Sequence, residues 1–343
     1  MKKIVLAASL VASLTVSSFA QETLTVISFG GDYGKAQKKH MIDPFVKQSG
    51  VKVFFDDYKG GTAEIKAQVD SGSIKWDVID IDYVDLEKAC SENLLEIIDH
   101  SYLPKGDDGV DAKDDFYPEA LQSECAVGNI LWSVAFAYND KYMGKTKPKN
   151  MADFFNVKKI PGKRALRKRA QINLEWALIA DGVAPKDVYD VLETDEGIKR
   201  AFAKLDTIKD SVVWYESWSQ APQLLNDGSV VMAQAANGRL SNFEIVWQGQ
   251  AFDLGGWAIL KGSKKIEEAK EYIAFATKTK PLAGMKDVNY GATRKSVKNL
   301  LTTEEQNKLP TAHLEEGFKV DSGFWSDYGT ELNEKFNAWL LKK

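Results

Sequence analysis

Leu24-Thr25-Val26-Ile27-Ser28, then Phe29-Gly30-Gly31-Asp32-Tyr33-Gly34, then a segment in which Ala36, His40, Met41 and Phe45 recur at helical spacing, is the stretch that decides the fold. It reads as strand, glycine turn and helix. The same unit follows twice more: a strand over 51–55 with a helix over 62–69, and a strand over 77–81 with a helix over 84–90. Three such units in series make a βαβαβα layer with parallel strands, hence an α/β fold. Asp82 and Tyr83 fall just past the third strand's carboxyl end, where open α/β sheets bind ligands.

Beyond residue 104 the chain turns acidic, with Asp107, Asp108, Asp111, Asp114 and Asp115, and reads as a solvated loop; the glycine and glutamate of a calcium-binding EF-hand loop are absent. A long apolar strand follows over 130–138. Alternation then restarts, with helices over 151–155, 174–181, 185–191 and 194–207 and strands over 230–234 and 252–259. This order fits two α/β lobes, joined where 132–138 and 257–260 pass between them, better than one long sheet. Phe324, Tyr328, Leu332, Phe336, Trp339 and Leu340 have helical spacing, so the last segment should pack across a lobe.

Composition bounds the function. The 343 residues are 44% hydrophobic and 27% charged, enough for a large core, and 45 basic against 49 acidic residues give a net charge of −4. Nucleic acid is therefore not the expected partner. Lys2 and Lys3, an apolar run to Val16 and the small-residue end Ser18-Phe19-Ala20 make a secretory leader cut after Ala20. Losing its two lysines takes the charge from −4 to −6. No later window is apolar enough to span a bilayer. In an oxidising compartment Cys90 and Cys125 are expected to form one disulfide.

Catalytic patterns are missing. His40, His100 and His313 lack metal-ligand spacing, no G-x-S-x-G elbow occurs, and the Gly30–Gly34 turn is neither G-x-G-x-x-G nor a phosphate loop. No cofactor, metal site or catalytic residue is expected. The basic residues Lys158, Lys159, Lys163, Arg164, Arg167, Lys168 and Arg169 read as a solvated face. More informative are Tyr33, Tyr83, Trp214, Trp218, Trp257, Tyr290 and Trp325, aromatics beside turn or polar residues, because aromatic faces with carboxylates suit organic cations.

Val26-Ile27-Ser28-Phe29-Gly30-Gly31-Asp32-Tyr33, Trp76-Asp77-Val78-Ile79-Asp80, Cys125-Ala126-Val127-Gly128-Asn129-Ile130 with Trp132, Pro161 to Leu166, Asn173-Leu174-Glu175-Trp176, Asn237-Gly238-Arg239 and Tyr290-Gly291-Ala292-Thr293-Arg294 recur in order. Together they resemble the spermidine/putrescine-type periplasmic solute-binding proteins of ABC importers, over nearly the whole mature chain. The resemblance implies a type II periplasmic binding protein fold: 21–136 with about 260–300 as one lobe, 137–259 as the other, a two-crossing hinge between them, and 301–343 as a helical segment across both. It implies a monomer that captures a small amine and delivers it to a membrane permease, without catalysis.

Carried over by position, the ligand site comprises Asp32, Tyr33, Asp82, Tyr83, Glu175, Trp214, Trp218, Asn237, Arg239, Trp257 and Tyr290. Asp32, Asp82 and Glu175 would receive the ammonium groups of a polyamine such as putrescine or spermidine. One departure cuts against this. Gly255 stands where amine-binding members usually carry an Asp, and Arg239 matches the position that holds the carboxylate in relatives specific for 4-aminobutyrate-like ligands. The alternative ligand is thus a zwitterionic ω-amino acid or betaine.

Overall fold

Two unusually long antiparallel strands organise the molecule. In the computed structural model, which describes residues 23–342, β4 (Ala126–Tyr138) pairs with β8 (Glu244–Ile259) along almost its whole length. Beyond β8 lie β3 (Val78–Asp82), β1 (Leu24–Ser28) and β2 (Val53–Asp57), and beyond β4 lie β7 (Met232–Ala236), β5 (Arg164–Arg167) and β6 (Val212–Tyr215), giving the order β2-β1-β3-β8-β4-β7-β5-β6. Two short strands, β9 (Gly291–Ala292) and β10 (Phe318–Lys319), join β4 and β8 respectively.

The expected unit at the amino terminus is present. β1 pairs in parallel with both β2 and β3, and every strand of this layer leads into a helix. The first helix is interrupted: Gly31–Gln37 and Asp43–Ser49 flank a π-helical turn, Lys38–Ile42. Gly30 begins it at φ 66, and a Cβ there would sit 2.4 Å from an Asp57 carboxylate oxygen, so only glycine fits. β8 is much longer than the 252–259 strand expected, because its polar first half, including Glu244 and Gln248, lacks the apolar signature of a core strand.

Buried side chains form two main cores. One takes Val26, Ile79, Leu86, Val127, Trp257 and Tyr272; the other takes Phe136, Phe154, Trp176, Leu205, Phe324 and Phe336. β4 and β8 pass from one to the other, contributing Val127 and Trp257 on one side and Phe136 and Val246 on the other. The long C-terminal helix, Ser322–Leu341, buries Phe324, Trp325, Leu332, Phe336 and Trp339 in the second core, while Ser322 hydrogen-bonds Glu87 of the first lobe. The leader read at residues 1–20 lies outside the described residues.

Two surface readings are corrected. Asp115 is buried and pairs with buried Arg294 at 2.9 Å, so the acidic loop is pinned to the core at that point. Arg164 is also buried, its guanidinium donating to the carbonyls of Phe154, Asn156, Ile160 and Gly162; it locks a loop instead of facing solvent.

Cys90 and Cys125 form the expected disulfide, with Cα atoms 5.9 Å apart across a separation of 35 residues. Cross-linking a loop of that length removes unfolded-state entropy worth about 3 to 4 kcal/mol. The Cys90→Ser, Cys125→Ser double variant should lower the denaturant-unfolding free energy by that order and still bind ligand. An unchanged unfolding midpoint would refute the stabilising role.

Candidate functional site

Where β4 and β8 leave the first core, a cleft of about 800 Å³ opens, lined by Asp82, Trp132 and Asp253 on one wall and Arg167, Trp218 and Gln234 on the other. Strand register makes the first wall. Asp82 lies opposite Gly255, and Trp132 opposite Asp253, so Asp82 and Asp253 share one face of the sheet at residues two apart in β8 register. Asp82 begins the helix Tyr83–Ser91 but its side chain makes no cap, leaving the carboxylate without a hydrogen bond among the described residues. Burial and the neighbouring carboxylates, Asp253 first, push its pKa well above the usual range. Asp253 is pushed to about 7, mainly by burial, although Lys319 and the Leu254 N–H favour its charged form. Neither acid makes an ion pair among the described residues, Lys319 acting on Asp253 only from a distance, so the two are placed to receive a cation.

Behind them, Asp80 is fully occupied. It accepts hydrogen bonds from Ser28 (2.9 Å), Tyr33 (2.6 Å), Gln37 (2.6 Å) and Asn129 (2.8 Å). Tyr33, so anchored, meets Tyr290 edge-on at 5.3 Å, and Tyr290 in turn packs so closely on Gly238 that a Cβ there would lie 3.1 Å from its ring. Arg239, the next residue, is exposed, influences Tyr290 and Asp32 electrostatically, and has no hydrogen bond or ion pair among the described residues. Gly255 completes this floor. Its Cβ would stand 3.0 Å from Asn129 Oδ1 and 3.4 Å from Asp80 Oδ1, so a carboxylate there would collide with the buried Asp80 network.

Of the residues expected at the site, Asp82 and Trp218 line this cleft, while Tyr33, Tyr290 and Arg239 form a neighbouring group outside its lining, with Tyr33 and Tyr290 within electrostatic reach of Asp82 and Arg239 acting on Tyr290. The others do not line it. Asp32 is exposed and paired with Lys35 at 2.8 Å. Glu175 is fully buried, accepting from Tyr189 (3.0 Å) and Trp325 (2.8 Å), so it fastens the C-terminal helix behind the wall. Trp214 packs edge-on against Phe336 and Trp339 in the second core. Trp257 is fully buried against Tyr272, and Tyr83 is buried with its hydroxyl on the Ala120 carbonyl. Asn237 is structural: it accepts from the Ser133 N–H and donates to the Asn289 carbonyl, tying the strands together at the hinge. Sequence reasoning missed Asp253, Arg167 and Trp132 as wall residues. The signal for Asp253 was present, since in a strand it faces the same side as Gly255.

A cleft between two α/β lobes, crossed by paired hinge strands and carrying acids on one wall and guanidinium groups on the other, defines a two-lobed solute-binding protein. The model of the bacterial extracellular solute-binding protein family matches residues 40–311, and the chain belongs to that family. The gamma-aminobutyric acid-binding protein of Pseudomonas aeruginosa is 40% identical over 331 residues, covering 94% of this chain and 92% of the relative. Among solved structures, a GABA receptor has a TM-score of 0.79 at 27% identity, over 94% of this chain and 98% of its own. The binding protein MotA of A. tumefaciens B6, solved with glucopine, has a TM-score of 0.76 at 30% identity, over 93% of this chain and all of its own. The type II periplasmic binding protein fold implied by the sequence motifs therefore holds, and the chain is an ABC solute-binding protein, not an enzyme.

Two measurements test these placements. Because Trp257 is core, Trp257→Ala should cost about 3 to 5 kcal/mol of folding stability by denaturant titration. A selective loss of ligand binding at normal stability would return it to the cleft. Glu175, like Asp253, has its pKa raised to about 7, mostly by burial. An unfolded carboxyl titrates near pH 4, so the folded state holds extra protons between about 4 and 7, and stability falls as pH rises through that window. The melting temperature of the ligand-free protein should drop from pH 5.5 to pH 8, with a smaller drop in Glu175→Gln. An unaltered slope in the variant would reject this assignment.

Proposed function

We propose that this binding protein captures a zwitterionic ω-amino acid of the 4-aminobutyrate type. Asp82, with Asp253 beside it, receives the ammonium group, and Arg239 takes the carboxylate. The observation that carries this reading is the separation of charge: Asp82 and Asp253, which make no ion pair among the described residues, line one wall of the cleft and Arg167 and Arg169 the other, with Arg239 exposed beside Tyr290 at its side. Only a ligand bearing both signs contacts both walls favourably, and contact with both is what shifts a hinge equilibrium toward closure. Tyr33 and Tyr290 supply an aromatic floor between the charges. The relatives support the same class, since two are named for gamma-aminobutyric acid.

A polyamine is the weaker reading. Of the three carboxylates it requires, Asp32 is paired with Lys35 and Glu175 with Tyr189 and Trp325, which leaves Asp82 alone. The lobe-two arginines would repel its second ammonium. Maturation by cleavage after Ala20 and delivery as a monomer complete the proposal.

A thermal-shift screen of ligand-free protein with 4-aminobutyrate, glycine betaine, putrescine and spermidine decides between these classes. A ligand at ~100 times its Kd adds about 2.7 kcal/mol, so 4-aminobutyrate should raise the melting temperature clearly and the polyamines should not. In calorimetry Asp82→Asn and Arg239→Ala should each weaken 4-aminobutyrate about tenfold or more, the value of a charge-assisted hydrogen bond. A shift with polyamines alone would overturn the reading.

A further inference from the structure

Arg167 is built into the second wall with more care than a solvated residue needs. Its guanidinium lies over the Trp218 ring at 4.4 Å, and its Nε donates to the Glu216 carbonyl at 3.2 Å. The ring and that one bond fix the plane, while both terminal nitrogens have no hydrogen-bond partner among the described residues. Its backbone is equally fixed. The Arg167 N–H donates to Gln234 Oε1 (3.0 Å), Asn173 donates to the carbonyls of Arg167 and Arg169 (both 2.7 Å), and Gln234 donates to Asn173 (3.1 Å). Gln234 and Asn173 are buried, so the segment ending β5 rests on a satisfied polar network that holds it in a single arrangement.

If Arg239 takes the carboxylate of a simple ω-amino acid, Arg167, which lines the same cleft as Asp82 and Asp253, is left with its fork unused. Closing the lobes over it would then bury a cation that no ligand group meets, which is costly. A planar guanidinium stacked on an indole is suited to bidentate pairing with a second carboxylate.

We propose that Arg167, stacked on Trp218, is a second anion subsite of the cleft, so that the protein takes ligands in which an amine lies between two carboxylates. This rests on the reading of the site as a zwitterion receptor. Arg239 holds one acid, Asp82 and Asp253 hold the amine, and Arg167 holds the acid on the far side of the nitrogen.

Two probes of similar size separate charge from bulk: 4-aminobutyrate carrying N-carboxymethyl, and 4-aminobutyrate carrying N-propyl. Isothermal calorimetry on the full mature protein should show the carboxymethyl compound binding about tenfold or more tightly than the propyl compound. In Arg167→Gln that ratio should fall to near one, and Trp218→Leu should reduce it, whereas Arg239→Ala should weaken both compounds and keep the ratio. Equal affinities in the parent, or a ratio lost in Arg239→Ala and kept in Arg167→Gln, would overturn the subsite. A parent that binds the carboxymethyl compound but not 4-aminobutyrate would uphold the subsite and overturn the simple ω-amino acid reading.

Discussion

The molecule depends on one antiparallel ladder, β4 against β8. Strands of 13 and 16 residues are longer than either lobe needs, and the surplus is what joins them. Register irregularities fall between Gly128 and Ile130 and between Val134 and Phe136, on either side of the Trp132–Asp253 pair. Such bulges bend a strand and re-aim its side chains. The hinge and the cleft wall are thus the same few residues, and any ligand touching Asp253 also touches the element about which the lobes turn.

The acids on β3 show how one strand can carry a fully satisfied carboxylate and a cleft-lining one two residues apart. Asp80 and Asp82 face the same side. Asp80 receives four side-chain donors, so its burial is compensated and its role is to hold Tyr33 in place. Asp82 receives none, and burial with Asp253 nearby makes ionisation of both unfavourable. A pair of this kind costs stability unless a cation arrives, and in the proposed reading that cost would couple ligand capture to closure.

Much of the architecture was legible because strand and helix periods differ and because glycine marks turns. The β1 bounds and the helix Met151–Phe155 follow from local pattern, and the disulfide from an even cysteine pair behind a secretory leader. The misplaced site residues share a different cause. Glu175 is expected from the family motif to receive an ammonium group, but its partner Trp325 lies 150 residues away, and no local pattern reports that the C-terminal helix covers it. Trp214 was hidden by the same helix. Arg164 and Arg167 sat in one basic run, yet the first caps carbonyls in the interior and the second faces the cleft, because a strand's alternation sends neighbours to different environments.

Gly255 is the departure on which the choice of ligand turns. Glycine in place of an amine-pairing aspartate points away from a polyamine. The geometry adds a reason: a Cβ at 255 would press on Asn129 and Asp80 at 3.0 and 3.4 Å, so an acid there would have to displace part of that network. The charge is supplied two residues earlier by Asp253, on the same face and one rung nearer the hinge. Moving the carboxylate along the strand keeps the attraction for an ammonium group but brings it under the opposite wall, where Arg167 and Trp218 wait. On the proposed zwitterion reading, the departure at 255 amounts to a displacement of the cation site toward the wall that carries Arg167, which is the change a ligand with both charges requires.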